Sequence, residues 1–297
     1  MPIKDFQKLN CAFVSSNFGF GPVSKAAAIA EEIKRRFPQI KTHLFGDRFA
    51  LRFAELSKSF DFLIEAKVED AEQVKKIIPQ LRNYNIVFSV LNLPLLPLWR
   101  KSFGRLYFVD SLAWMWRKPP TGVENTEIYF VQDYLVTSER IEKWSETHRV
   151  ISIPPIGIPP KDNFSIIPPN KRSNRLLVNF SGCSNRYVNS KVYRKYVAKL
   201  AEPIIEESIG KFEDIYICLN QTLAEKLKKR FFGNSVKIGL LPKSLFLQKL
   251  ADARFLLTAP GITTTLEAIA LGTPLGFLLP QNDSQAVMSE IYRRQID

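Results

Sequence analysis

Short apolar runs alternate with stretches of helical period along almost the whole chain. In the first half, residues 10–15 (NCAFVS), 40–45 (IKTHLF), 60–65 (FDFLIE), 85–92 (NIVFSVLN), 105–110 (RLYFVD), 128–133 (IYFVQD) and 149–154 (RVISIP) read as strands. Between them, VSKAAAIAEEIKRRF (23–37) and residues 69–82 have helical periodicity, and the first also has high helix propensity. Strands separated by helical patterns predict parallel βαβ units and a doubly wound sheet.

The alternation stops once. PPIGIPPKDNFSIIPP, residues 154–169, holds six prolines, which neither continue a helix nor sit in a central strand. It then restarts with RLLVNFSG (175–182), a helix at 190–208, DIYICLN (214–220), a helix at 222–231, SVKIGLL (235–241) and a helix at 244–252. RFLLTAPG (254–261), a helix from Thr263 to Leu271, and PLGFLLP (274–280) follow. The expected organisation is two Rossmann-like α/β domains, residues 1–155 and 171–297, joined by a proline-rich linker at 156–170. No low-complexity segment or short repeat interrupts them.

Charge narrows the partner. Lys and Arg number 42 against 29 Asp and Glu, a formal +13 shared between the halves, so the surface attracts anions such as phosphates and nucleotides. No dense basic tail of the nucleic-acid type is present. The three cysteines, Cys11, Cys183 and Cys218, are far apart and there are two histidines, His43 and His148, which argues against a metal site, a disulfide framework and a histidine-based dyad. The N-terminus MPIKDFQKLN lacks a long apolar h-region, and the most apolar stretch, 86–99, is broken by Asn92, Pro94 and Pro97. The expectation is a soluble cytoplasmic protein, with peripheral attachment at a membrane surface as an alternative.

The stretch TAPGITTTLEAIALGTPLGFLLPQNDSQ (258–285) carries the clearest chemistry. A strand ends at Pro-Gly, three threonines open a helix, Glu267 lies inside it and Gly272 ends it. Amides and hydroxyls at a helix N-terminus receive an anion, because the dipole places about half a positive charge there. A diphosphate suits that end, and a carboxylate one turn further in suits the vicinal hydroxyls of a ribose. The plainer alternative is a threonine-capped helix with a surface Glu.

With its neighbours this stretch resembles the donor-nucleotide site of GT-B-fold glycosyltransferases, most of all the group of the peptidoglycan N-acetylglucosaminyltransferase and the UDP-glycosyltransferases. The shared pattern, T-x-x-E-A-x-A-x-G-x-P followed by Q-x-x-x-Q, falls on Thr264, Glu267, Ala268, Ala270, Gly272, Pro274, Gln281 and Gln285, preceded by Gly261. The resemblance implies that Gly261, Thr263 and Thr264 hold the diphosphate, that Glu267 holds the ribose, and that Asp283 and Gln285 read the donor sugar. It places Ser181, Gly182 and Ser184 on the other side of the diphosphate, with Leu241 and Phe246 beside the base and Arg186 or Lys243 offsetting phosphate charge. Phe246 as plain core is the alternative.

SSNFGFGPVSKAAAIAEEI (15–33) resembles the glycine-rich first loop of the same enzymes, with Gly19 and Gly21 as phosphate or acceptor-loop residues. Pro22 stands where many relatives keep a histidine base. Asp110 and Asp133, each at a strand's carboxyl end, are therefore the candidate general bases, against a capping role. Residues 95–120 hold three of the four tryptophans and five Lys or Arg. Trp99, Trp114 and Trp116 are candidates for an acceptor or membrane-proximal surface, or else core with a solvated rim.

Together these imply a metal-independent glycosyltransferase with a nucleotide-sugar donor, UDP-linked, no further cofactor and an unspecified acceptor, lipid-linked or membrane-proximal among the options. Nucleic acid is a minor option. The alternatives are a non-catalytic nucleotide-sugar or partner-binding module, and a UDP-sugar epimerase or hydrolase on the same fold. Similar enzymes continue beyond the helix expected at 284–297, so a partner chain completing that end is a further expectation.

Overall fold

A computed structural model describes residues 9–17, 19–159, 166–181, 190–219, 221–231 and 236–296. The chain divides into two units, Met1–Gly157 and Ile158–Asp297, so the boundary falls inside the proline-rich segment. Of that segment, residues 160–165 lie outside the described residues.

The first unit contains β1 (Asn10–Ser15), α1 (Gly21–Arg36), β2 (Lys41–Gly46), α2 (Arg48–Ser57), β3 (Phe62–Glu65), α3 (Ala71–Leu81), β4 (Ile86–Val90), β5 (Arg105–Asp110), β6 (Ile128–Gln132), α4 (Ser138–Ser145) and β7 (Val150–Ile153). Its seven parallel strands lie in the order β3-β2-β1-β4-β5-β6-β7. Because side chains alternate across a strand, Ala12 and Val14 of β1 enter one core with Phe108, Tyr129 and Trp144. Cys11 and Phe13 enter the other, beneath Val23, Ala26 and Ala30 of α1. Both faces of the sheet are thus apolar, as parallel sheets require.

Two helices stand where no element was expected. Helix α2 starts at Asp47, whose carboxylate accepts a 3.0 Å hydrogen bond from Ala50 N, and stops at Lys58 with φ +55°. Its stop signal is a lysine in the left-handed region, where glycine is the usual occupant. Helix α4 starts at Thr137, whose hydroxyl accepts from Arg140 N. The loops between β4 and β6 form short 3-10 turns, and Gly122 (φ +89°) lets one approach another so closely that a Cβ would lie 2.3 Å from Pro97 N.

The second unit contains β8 (Ser173–Asn179), α5 (Ser190–Ser208), β9 (Asp214–Cys218), α6 (Gln221–Arg230), β10 (Val236–Gly239), α7 (Lys243–Asp252), β11 (Ala253–Thr258), α8 (Ile262–Ala270), β12 (Leu275–Phe277) and α9 (Asp283–Ile296). Its five parallel strands run β10-β9-β8-β11-β12. In both sheets the first strand pairs with the fourth, and the winding direction reverses there. Ligands of open α/β sheets bind at that reversal, beyond the carboxyl ends of the strands.

Helix α8 ends in a Schellman turn: Thr273 N bonds to Ala268 O and Gly272 N to Ile269 O, with Gly272 at φ +64°. Arg172, just before β8, fastens this end. Its guanidinium donates to Ala251 O (2.7 Å), Ala253 O, Leu271 O, Gly272 O (2.9 Å) and Thr273 Oγ1, and so ties the last turns of α7 and α8 to the sheet. Burial holds the Arg172 pKa below its ordinary value. The opposite ends of the same two helices carry the candidate site.

Candidate functional site

At the reversal point of the second sheet, Asn179 closes β8 and Thr258 closes β11, paired in register. Asn179 turns two ways. Its Oδ1 accepts from Ser181 N (2.9 Å), which stabilises Ser181 at φ +60°, and its Nδ2 donates to Thr264 Oγ1 (3.0 Å) on α8. The loop after β8 is thereby fastened to the first turn of α8. Helix α8 opens at Gly261 with no side-chain cap, and Thr265 Oγ1 donates back to Gly261 O. Thr263 and Thr264 are half-buried. An uncapped N-terminus flanked by hydroxyls is suited to phosphate oxygens.

Glu267 lies one turn inward and is 0% exposed. Its Oε1 is paired with the ammonium of Lys243, the first residue of α7, whose side chain is 25% exposed. A carboxylate so deeply buried needs a cation beside it, because desolvation otherwise costs more than packing returns. The pair also joins the amino ends of α7 and α8. Lys243 was expected beside phosphate, and in this structure it is committed to Glu267. Phe246 lies in the core with Leu250, Leu256 and Ala268, and Leu241 packs on the rim of that cluster.

The loop after β12 reaches the same place. Gln281 Nε2 donates to Phe180 O (2.9 Å), which brings this loop against the one that follows β8. Gln285 Oε1 accepts from Gln281 N (2.9 Å) and Gln285 N donates to Asn282 Oδ1 (3.0 Å), so Gln285 builds the start of α9. Asp283 is exposed at the first turn of that helix. Gly182, Ser184 and Arg186 lie outside the described residues. The structure therefore gathers Ser181, Gly261, Thr264, Glu267 and Gln281 around one strand reversal. Asn179 was missed in the sequence, and its only signal is a polar residue at the carboxyl end of the apolar run LLV.

The first unit's candidates are arranged differently. Gly19 (φ +67°) and Gly21 lead into α1, with Pro22 buried in its first turn. Asp110 was expected to face a cleft, and that expectation is corrected: it is 0% exposed. Its carboxylate accepts from Tyr129 OH (2.7 Å), Leu112 N (2.7 Å) and Trp116 Nε1 (3.0 Å). Burial, opposed by these bonds, raises its pKa to about 6. Asp133, by contrast, is exposed just beyond β6.

The aromatic stretch divides: Trp99 belongs to the core of the first unit, whereas Trp114 and Trp116 are half-buried against that core. Trp99 is 1% exposed and donates from Nε1 to Gly104 O (3.1 Å), and Trp116 serves Asp110. Arg140 Nη1 holds the carbonyls of Trp114 and Trp116. His43 packs on Phe62 and meets Tyr84 OH through Nδ1. Among the described residues no group of His, Cys, Asp and Glu is arranged to hold a metal ion, and no helix is long and apolar enough to cross a membrane.

No protein-family profile and no curated protein matches the chain. Solved structures do. The chain is similar to S. aureus MnaA in a structure with UDP, at 12% identity and TM-score 0.58, over 97% of this chain and 88% of that one. It is similar to a Medicago truncatula UGT complexed with UDP-glucose, at 10% identity and TM-score 0.56, over 98% and 84% of the two chains. A third is the UDP-GlcNAc 2-epimerase of Neisseria meningitidis bound to UDP-GlcNAc, at 13% identity and TM-score 0.56, over 95% and 85%. At these identities the likeness establishes the fold, which is GT-B, with two parallel-sheet α/β domains of seven and five strands.

Proposed function

We propose that the chain is a GT-B glycosyltransferase that takes a sugar from a nucleoside diphosphate donor, UDP-linked, and that the second unit holds the donor nucleotide. The observation that carries this reading is the buried Glu267 one helical turn from the uncapped start of α8, at the reversal of the second sheet. The diphosphate oxygens take the α8 amides and the Thr263 and Thr264 hydroxyls, and the ribose hydroxyls donate to Glu267. The leaving diphosphate is stabilised by the helix dipole and nearby cations, so the transfer needs no metal. Acceptor binding falls to the first unit, where exposed Asp133 is the candidate base. The similar structures include both a UGT and an epimerase, so fold does not choose between these reactions.

A second reading has two observations in its favour. With Asp110 sealed and Pro22, at the position of the usual histidine, buried in the first turn of α1, a nucleotide-sugar-binding module without turnover also fits. Thermal unfolding with UDP, UDP-glucose and UDP-GlcNAc tests the shared claim, since a ligand at 100 times its Kd adds about 2.7 kcal/mol to the folded state. A rise in Tm with UDP is expected; no rise with any nucleoside diphosphate sinks the reading. Release of free UDP from a UDP-sugar then separates the enzyme from the module.

A further inference from the structure

Away from the strand reversal, the second unit gathers cations around one phenol. Tyr216 lies on β9 in the core cluster under α7, and Lys237 of the edge strand β10 is its cross-strand partner. The Lys237 ammonium donates to Tyr216 Oη (3.2 Å) and lies 4.9 Å from the ring centroid. Lys249 of α7 is hydrogen-bonded to the same phenol, with its ammonium 5.0 Å from the centroid. The Arg175 guanidinium carbon stands 5.7 Å from that centroid.

The carboxylates nearby are committed elsewhere. Arg175 takes Asp214 (3.0 Å) and Asp252 (2.7 Å), and Lys237 shares Asp214 (2.9 Å). Among the described residues Lys249 has no carboxylate partner, and Arg175 Nε is a buried N–H without an acceptor. An ammonium only donates, and a phenol oxygen that accepts from two ammoniums still has its own proton to give. None of the cations around Tyr216 can accept that proton. Both ammoniums are within hydrogen-bond reach of one oxygen, so they stand at most about 6–7 Å apart, where like charges repel. Donors and positive charge are both in excess here, and an oxyanion supplies what is missing.

We propose that Tyr216, Lys237 and Lys249 form a second anion site of this unit, which receives a phosphate group, free or carried on a larger molecule. Its oxygens accept the phenol proton and an N–H from each ammonium, and its charge balances Lys249. Although burial works against it, the hydrogen bonds from Lys249 and Lys237 hold the Tyr216 pKa below its ordinary value, as a setting that favours negative charge does. The site is separate from the donor crevice. Lys249 lies about 9 Å along α7 from Lys243, and Tyr216 and Lys237 precede the carboxyl ends of their strands, Cys218 and Gly239. The proposal therefore stands whether or not the second unit holds a nucleotide.

The test is urea unfolding of the full chain at neutral pH in up to about 10 mM sodium phosphate, against sodium chloride at equal ionic strength. Phosphate should stabilise the wild type with a Kd of about 1 mM, and Lys249→Gln should weaken it about tenfold. Tyr216→Phe, which keeps the ring and removes the phenol proton, should weaken it about threefold. In chloride, Lys249→Gln should be no less stable than the wild type, because Lys249 has no carboxylate to lose, so lost binding is read apart from lost structure. Saturating UDP should leave the phosphate response of the wild type in place. Phenyl phosphate separates the two sources: a response to inorganic phosphate alone assigns a free ion, and an equal response to both assigns a phosphate borne on a larger molecule. No phosphate response in the wild type, equal responses in the wild type and Lys249→Gln, or a response that UDP abolishes overturns the proposal.

Discussion

The two sheets wind alike, yet their reversal points are furnished in opposite ways. In the second unit, polar side chains from distant segments converge there: Asn179 reaches Thr264, Gln281 reaches Phe180 O, and Lys243 reaches Glu267. In the first unit the carboxylate of Asp110, at the carboxyl end of β5, has been drawn inward and closed over by Tyr129 and Trp116. Equal topology provides equal locations for a ligand, but the chemistry is set by whether polar groups are satisfied within the fold or held at its edge.

The contrast can be broken at the support beneath the second crevice. Arg172→Met removes the bonds that fasten the ends of α7 and α8 and leaves their carbonyls without donors, so it should destabilise the chain by about 2–4 kcal/mol in urea unfolding. Loss of less than about 0.5 kcal/mol would mean that those ends are held by packing alone.

The burial of Asp110 makes a prediction with a definite sign. Its pKa in the folded chain, about 6, lies above the ordinary 3.8, so the folded state binds the extra proton between those values. Its contribution to stability is full below pH 3.8 and is lost as pH rises through about 6. The stability of the wild type minus that of Asp110→Asn should therefore fall across this window, by at most about 1.4 kcal/mol per pH unit. A difference that rises with pH would place Asp110 in a charged, stabilised setting.

Smaller effects sharpen the comparison. Asn179→Ala releases both Ser181 and Thr264 and should weaken UDP binding about fivefold to tenfold, about 1 kcal/mol, in calorimetric titration. Gly19→Ala forces a Cβ into φ +67° in the first unit, which should cost about 1 kcal/mol of stability and leave UDP affinity unchanged. A loss of UDP affinity from Gly19→Ala would give the first crevice a share in the nucleotide.

Much of this fold is legible in the sequence, and the reasons are local. Strand β5 and the helix carrying Glu267 are marked by apolar runs and by turn residues such as Gly272, whose positive φ a glycine supplies. Helix α2 escapes because Lys58 ends it in the left-handed region. The threonine-and-glutamate pattern of α8 announces the candidate site, but the Asn179–Thr264 and Lys243–Glu267 contacts join residues 85 and 24 positions apart, and no local spacing encodes them. Strand-end logic located Asp110 correctly and misjudged its exposure, because Trp116 and Tyr129 come from separate loops and strands to cover it. Trp99 is a parallel case: a tryptophan between cations reads as surface, and its indole is spent on Gly104 O inside the first unit.

The central claim is that the nucleotide is held by Glu267 in the second unit. Titration of UDP into the wild type, Glu267→Gln and Asp110→Asn chains, each checked for cooperative unfolding, tests it most directly. The account predicts that Glu267→Gln weakens UDP by about 30-fold or more, about 2 kcal/mol, while Asp110→Asn binds it like the wild type. Equal UDP affinity in the wild type and Glu267→Gln would contradict it.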